Sequence, residues 1–159
     1  EMLQLTKTVL NHDMKMVRKM EGKSAMDILE EAGIHPNRPV RLVVVRTFAK
    51  HPLVLEECLM PVVPLVAVAD FEEALETALF TEQGYRHTAM VHSQCIDRLS
   101  KAAKIMNTTV FIKNGSSLAG IGLNGEEMAS FTIANVTGEG ITTARDFACK
   151  RSCTLTSGL

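Results

Sequence analysis

The sequence lacks an excess of charge of either sign. Its 159 residues include 17 lysines and arginines against 18 aspartates and glutamates, which gives a net charge of −1. Partners such as nucleic acid or an anionic membrane surface favour a basic protein surface. The sequence also lacks an apolar run near the roughly 20 residues that a membrane-spanning helix requires, and its polar N-terminal stretch differs from a signal peptide. We therefore expect a cytoplasmic protein with neither nucleic acid nor membrane as a partner.

The cysteines and histidines lack the spacing of a metal site. The four cysteines form no CxxC pair and no Cys/His zinc pattern. His87 and His92 flank one predicted strand, and their odd spacing puts them on opposite faces. We expect no metal ligands, and we expect buried free thiols in a reducing compartment. The cysteines are Cys58, Cys95, Cys149 and Cys153.

Apolar residues recur at helical spacing in several segments. Ser24 and Asp70 are suitable N-caps, and Gly33 is a suitable stop after a short helix. Runs rich in β-branched residues predict strands between these helices. The predicted helices are residues 2–20, a short helix within 22–34, and residues 70–84, 94–107 and 141–150. The predicted strands are residues 39–47, 64–70, 87–93, 108–114 and 153–157.

The alternation of strands and helices predicts an α/β fold. Strands separated by helices form a layered domain with a largely parallel sheet flanked by helices. The strand at 39–47 has a continuous apolar centre, which predicts burial on both faces. Because no linker interrupts the chain, we expect residues 1–159 to form a single domain.

A glycine-rich stretch over residues 115–130 contains Gly120, Gly122 and Gly125 in the spacing G-x-G-x-x-G. In a dinucleotide-binding fold, this motif opens a helix directly after a strand. Here five residues separate the preceding strand from the first glycine of the motif, and no clear helix follows its last glycine. A long loop is therefore favoured. Loops of this length are often functional. A second turn, TGEG at 137–140, suits either a phosphate site or a tight turn before a Thr-capped helix, and the turn is favoured.

A polar cluster interrupts the apolar stretch HPLVLEECLMPVVPLV, which runs from His51 to Val66. Glu57 and Cys58 could be a base and a nucleophile. Adjacent residues of an extended segment point in opposite directions, however. No histidine is placed beside Cys58 to generate a thiolate. A packing role for Cys58 is therefore favoured.

Four motifs together resemble the aldehyde dehydrogenase superfamily. They are GKSA (22–25), EECLMPV (56–62), TVFIKNG (109–115) and TGEG (137–140). The similarity extends over residues 22–158 and is greatest to the CoA-acylating branch, the ethanolamine- and propanediol-utilisation type of bacterial microcompartments. The resemblance implies the C-terminal part of an aldehyde dehydrogenase catalytic domain.

The resemblance also implies a reaction. Such enzymes oxidise a short-chain aldehyde with NAD, through a cysteine thioester, and transfer the acyl group to CoA. Their nucleophilic cysteine and Rossmann domain precede the part that this chain resembles, so we expect none of its cysteines to be catalytic. The first residue is Glu1 rather than Met, and we expect an inactive fragment of a longer enzyme. The alternative is a non-catalytic interaction or assembly domain that kept the fold.

The resemblance assigns roles to particular residues. Glu57 would hydrogen-bond the nicotinamide ribose, and Leu59 would pack near the nicotinamide ring, where Leu59-Met60 replaces the Phe-Gly that is commoner in the superfamily. The alternative for Glu57 is a solvated turn carboxylate. A further group would line the acyl pocket: Ser130, Phe131, Thr132 and Ile133.

The resemblance further implies an assembly. The segment 153–157 corresponds to a strand that pairs across the dimer interface of the family, so we expect a homo-oligomer. The microcompartment relatives imply shell or lumen proteins as partners, and a location in the cytoplasm or inside a microcompartment.

Overall fold

The computed structural model describes residues 1–123, 142–144 and 146–157. The chain divides into two compact units, Glu1–Gln83 and Gly84–Leu159. Each unit contains a two-stranded parallel sheet with a helix in the connection between its strands. The predicted α/β class with parallel strands is therefore confirmed. The helices are α1 (Met2–Val9), α2 (Ala25–Glu31), α3 (Pro52–Leu55), α4 (Phe71–Glu82) and α5 (Ile96–Met106), and the strands are β1 (Val43–Thr47), β2 (Val62–Val66), β3 (Thr88–Val91) and β4 (Val110–Lys113).

The first unit is held together by one apolar cluster that draws on every element from α1 to β2. Burying a side chain of this size contributes roughly 1.5–3 kcal/mol. Because α3 and both strands contribute to the same cluster, the chain between α3 and β2 is anchored at both ends. The cluster consists of Leu5, Val9, Leu10, Met20, Ile28, Val45, Leu53 and Val62.

The prediction of one helix over 2–20 is wrong, because α1 ends at Val9. The Asn11 side chain accepts hydrogen bonds from the amides of Asp13 (2.9 Å) and Lys15 (3.0 Å). A side chain that binds nearby amides in this way competes with helical hydrogen bonding. The chain then turns back, and the Val17 amide donates to the Val9 carbonyl at 2.9 Å.

The predicted caps of α2 are confirmed. The Ser24 hydroxyl accepts from the Asp27 amide, and the Asp27 carboxylate accepts from the Ser24 amide, each at 3.2 Å. The Ser24 hydroxyl also donates to the Asp27 carboxylate at 2.7 Å. This bond, together with the one from the Ser24 amide, holds the pKa of the Asp27 carboxyl below its usual value. Gly33 follows the helix with φ +68°. The Ile34 amide donates to the Leu29 carbonyl at 2.8 Å, which completes a Schellman motif.

Strands β1 and β2 run parallel, with Val43 opposite Val62. Val45 and Val62 are buried, whereas Val44 and Leu65 are exposed. The prediction that the strand within residues 39–47, now β1, is buried on both faces is therefore wrong for the described residues. The reason is that the unit packs its core against one face of the sheet. The β-branched residues of β1 indicate a tendency to form a strand, but they do not indicate whether one or both faces of the sheet are covered.

Strand β2 begins and ends earlier than the predicted 64–70. Residues 67–70 instead form the turn before α4, where the Asp70 carboxylate accepts from the Glu73 amide at 2.9 Å. Asp70 is therefore the N-cap of α4, as predicted. An N-cap residue binds the first turn of the helix that follows it, so β2 ends before Asp70.

In the second unit, β3 and β4 pair in parallel along their whole length, so that their carboxyl ends lie side by side. The Asn114 side chain accepts from the Ser93 amide at 2.8 Å and donates to the Ser93 carbonyl at 2.9 Å. Asn114 itself has φ +52°, a conformation that asparagine tolerates better than most residues. This pair of bonds joins the segments that follow the two strands.

The predicted loop at 115–130 begins with a short 3₁₀ helix, Ser117–Ile121, that packs against β4. Gly120 is buried there, and a Cβ at this position would overlap the Val110 side chain. Gly122 ends the turn with φ +97°. These glycines therefore serve close packing and a left-handed cap, and not a dinucleotide loop. Gly125 lies outside the described residues, as does TGEG at 137–140.

The two C-terminal predictions are wrong for the described residues. Residues 142–144 and 146–150 do not form the predicted helix; turns are present at residues 144, 146 and 147. Thr143 and Asp146 make a local capping turn, at 2.7 Å from amide to carboxylate. Phe147 is exposed, however, so no apolar face anchors a helix. Residues 153–157 form no strand, because a strand requires a paired neighbour. Their pairing in an oligomer remains a prediction.

Replacing Gly120 by Ala tests the close packing of the 3₁₀ helix on β4. The added methyl group would displace the Val110 side chain, and overpacking of this kind costs about 1–3 kcal/mol. We expect a lower free energy of unfolding for the 159-residue chain, measured by urea denaturation. The matched control is Ser117→Ala, whose exposed side chain lies in the same turn and should leave stability within about 0.5 kcal/mol of the original. Equal stability of the two variants would contradict the packing role.

Candidate functional site

The segment that leads from α3 to β2 carries the two residues predicted to bind the cofactor. Pro52 occupies the first turn of α3, and His51 is the N-cap. The helix ends after one turn, where the Glu56 amide donates to the Pro52 carbonyl at 2.8 Å. Glu56 then adopts an extended backbone, with φ −97° and ψ 147°. An extended segment sends successive side chains to opposite sides.

Exposure alternates along this segment. Glu57 and Leu59 are exposed, whereas Cys58 and Met60 are half-buried and pack against the core of the first unit. The structure therefore brings the Glu57 carboxylate and the Leu59 side chain to the solvent-facing side of one short segment. Leu59 is 55% exposed, which is high for an apolar side chain.

Cys58 has the packing role that its sequence context favours. Its thiol donates a weak hydrogen bond to the Leu53 carbonyl at 3.6 Å and lies 3.8 Å from the Met16 sulfur. Burial raises the pKa of the Cys58 thiol, and the negative charge of Glu56 raises it further. A thiol held neutral in this way is a poor nucleophile.

The expectation of four buried thiols is wrong. Cys58 is half-buried, and the other three cysteines are exposed; all four are free.

The Glu57 carboxylate is available to a ligand. Within the part of the chain that the structure describes, it makes no hydrogen bond or ion pair. A carboxylate has two oxygens and can accept from two donors at once. The backbone beside it is fixed, because the Gly22 amide donates to the Leu59 carbonyl at 2.8 Å. Gly22 has φ +73°, a conformation that favours glycine.

Sequence reasoning missed two residues that hold this segment, Gly22 and His51. A glycine just before a capped helix signals a special backbone conformation, although it does not say which carbonyl the amide will meet. Pro52 signals a helix start, and the residue before it is then the cap. Histidine is an uncommon cap, so its role was not apparent.

The four residues predicted to line the acyl pocket lie outside the described residues: Ser130, Phe131, Thr132 and Ile133. Within the described ranges, no group of three or more histidine, cysteine or acidic side chains could hold a metal ion. None of the described helices combines the length and apolarity needed to cross a membrane.

Comparison with characterised proteins reveals clear relatives. The chain is 49% identical over 142 residues to a CoA-propanoylating propanal dehydrogenase of Salmonella typhimurium, a match that covers 89% of the chain and 31% of that enzyme. It is 40% identical over 138 residues to an acetylating acetaldehyde dehydrogenase of Escherichia coli, covering 87% of the chain and 30% of that enzyme. The chain thus spans about a third of the length of these relatives. No protein-family model matches it.

Solved structures give the same result. A propionaldehyde dehydrogenase of Rhodopseudomonas palustris with bound propionyl-CoA superposes with a TM-score of 0.88 at 40% identity, covering 96% of this chain and 34% of that one. An engineered glycolyl-CoA reductase with bound NADP+ also has a TM-score of 0.88 at 40% identity, over 96% of this chain and 35% of that one.

A third structure comes from a bacterial microcompartment for fucose utilisation. This propionaldehyde dehydrogenase of Clostridium phytofermentans has a TM-score of 0.88 at 36% identity, covering 99% of this chain and 36% of that one. The chain is therefore homologous to the CoA-acylating aldehyde dehydrogenases and has their fold over the part that it covers.

Proposed function

We propose that the chain is a fragment, the C-terminal part of the catalytic domain, of an NAD-dependent, CoA-acylating aldehyde dehydrogenase. The observation that carries the proposal is the Glu57 carboxylate, which makes no hydrogen bond or ion pair among the described residues and lies beside the exposed Leu59 on a segment fixed from both sides. The identity to propanal and acetaldehyde dehydrogenases supports a short-chain aldehyde as the substrate.

The overall reaction balances as aldehyde plus CoA plus NAD+ giving acyl-CoA, NADH and a proton. A cysteine thiolate adds to the aldehyde carbonyl, and loss of hydride leaves a thioester, which CoA then cleaves. When bound, NAD+ supplies the hydride acceptor. The cysteine belongs to the part of the enzyme that precedes this chain. The half-buried Cys58, with its raised pKa, is unsuited to that role.

The residues of this chain would bind and orient the cofactor. The two oxygens of Glu57 can accept hydrogen bonds from the two hydroxyls of the nicotinamide ribose. Such bonds would hold the sugar, and hence the ring, at one angle to the reacting carbon. The exposed side chain of Leu59 offers an apolar surface for the ring. The residues Ser130, Phe131, Thr132 and Ile133 would line the acyl pocket.

The ligands, the location and the assembly of the whole enzyme form part of the same proposal. A relative with bound NADP+ and another with bound propionyl-CoA support a nicotinamide dinucleotide and CoA as ligands. The microcompartment origin of a third supports a location in the cytoplasm or inside such a compartment, with shell or lumen proteins as partners. The whole enzyme would be a homo-oligomer that pairs residues 153–157 across its dimer interface.

The substitution Glu57→Gln in the full-length enzyme tests the cofactor role. Hydrogen bonds to a charged group contribute about 1.5–3 kcal/mol, so we expect kcat/KM for NADH formation from propanal to fall about tenfold or more. Exchange of labelled CoA into propionyl-CoA should change little, because it requires no hydride transfer. The matched control is Glu56→Gln, which removes the adjacent exposed charge and should leave both rates near their original values. Equal loss in both half-reactions would show instead that Glu57 is structural.

Alkylation of the 159-residue chain tests whether Cys58 can be the nucleophile. We expect iodoacetamide to modify Cys58 about tenfold more slowly than the three exposed cysteines, because burial limits access and lowers its thiolate fraction. Peptide mass spectrometry after timed quenching measures the four rates, and the urea-unfolded chain is the control, in which they should converge. Faster modification of Cys58, together with NADH formation by this chain alone, would contradict the fragment proposal.

A further inference from the structure

His51 is a buried titratable residue that the proposed reaction does not use. Only 8% of its surface is exposed, and its ring lies edge-on to that of Phe48, with 5.5 Å between centroids. Its Nδ1 accepts a hydrogen bond from the Leu53 amide at 3.2 Å. A ring nitrogen that accepts must be unprotonated, so this contact selects the tautomer with hydrogen on Nε2.

The helix that His51 caps is too short to be stable on its own. Helix α3 has four residues, whereas isolated helices below about 12–15 residues are marginal in water. Its geometry therefore depends on contacts at its ends. At the C-terminal end, the Gln83 side chain donates to the Leu55 carbonyl at 2.8 Å. At the N-terminal end, His51 supplies the side-chain cap.

The cap is connected to Glu57 through Leu53. The same residue that donates its amide to His51 accepts, through its carbonyl, the weak bond from the Cys58 thiol at 3.6 Å. Leu53 is 1% exposed and so cannot adjust its position without disturbing the core. On the other side, the Glu56 amide is bound to the Pro52 carbonyl. Both neighbours of Glu57 are thus held by α3.

We propose that His51 is a positioning residue: by capping α3 through Nδ1, it fixes the turn from which the Glu57 carboxylate reaches the cofactor. This inference rests on the proposed function of Glu57. It assigns His51 no contact with the substrate or the cofactor. Its effect must therefore be transmitted entirely through the placement of Glu57.

The test compares two substitutions of His51 in the full-length enzyme. In His51→Ala the acceptor is lost, and a lost cap of about 1 kcal/mol corresponds to about a fivefold effect. We expect KM for NAD+ in propanal oxidation to rise about fivefold, with exchange of labelled CoA into propionyl-CoA unchanged. In His51→Asn the side-chain oxygen restores an acceptor of the preferred cap type, so KM should return to within about twofold of the original. Loss of both half-reactions in parallel, without rescue by Asn, would overturn the positioning role.

A double-mutant cycle with Glu57→Gln shows whether His51 acts through Glu57. If it does, His51→Ala should add almost nothing to the effect of Glu57→Gln on KM for NAD+. Multiplicative effects of the two substitutions would overturn the inference. An effect of Glu57→Gln without any effect of His51→Ala would overturn the positioning role alone. Absence of an effect of Glu57→Gln would overturn the proposed function and, with it, the role of His51.

Nitrogen-15 NMR of the 159-residue chain checks the cap independently of activity. The chemical shifts should identify Nδ1 of His51 as the unprotonated nitrogen and Nε2 as the protonated one. Hydrogen exchange at the Leu53 amide should be slow and should accelerate in His51→Ala but not in His51→Asn. The opposite tautomer, or an unprotected Leu53 amide in the original chain, would overturn the inference.

Discussion

Packing of the half-buried Cys58 and Met60 against the core of the first unit determines the direction in which Glu57 and Leu59 project. In an extended segment the side chains alternate, so a slip of one residue would exchange the two pairs. The slipped arrangement would push the Glu57 charge into an apolar cluster, which is costly without a partner. The core therefore selects one register, and that register leaves the carboxylate free for a ligand.

The same core explains why the segment can be rigid without regular secondary structure. Its ends are α3 and β2, and both contribute buried residues to the cluster. Between them, backbone hydrogen bonds from Gly22 to Leu59 and from Val43 to Pro61 hold the chain in place. A group that must orient a cofactor benefits from such support, because small displacements reduce the rate steeply. The four-residue helix α3 needs this support in turn, which gives its histidine cap a functional interpretation.

Local chemistry was predictable from the sequence where a residue acts on its neighbours. The caps Ser24 and Asp70 and the stop at Gly33 all bind within a few residues of themselves, and each is found as predicted. The packing role of Cys58 also followed from its adjacency to Glu57. The resemblance to acylating aldehyde dehydrogenases supplied the cofactor roles, which periodicity alone could not.

Features that depend on distant contacts, or on which of two local structures is the more stable, could not be predicted from the sequence. The apolar spacing of residues 2–20 resembles a helix, but Asn11 binds amides beyond it and ends α1 early. The glycine spacing around Gly120 resembles a phosphate loop, but Gly120 packs against β4, and the Val110 side chain fills the space that a Cβ at Gly120 would need. The hydrogen bond from the Gly22 amide to the Leu59 carbonyl joins residues that are 37 positions apart, and no local sequence pattern predicts it.

A crystal structure of the full-length enzyme with bound NAD+ would test the cofactor role of Glu57 most directly. We expect the Glu57 carboxylate to lie within hydrogen-bond distance, about 2.5–3.0 Å, of the hydroxyls of the nicotinamide ribose, with Leu59 against the nicotinamide ring. A Glu57 carboxylate that remains in solvent, while another side chain binds that ribose, would contradict this role.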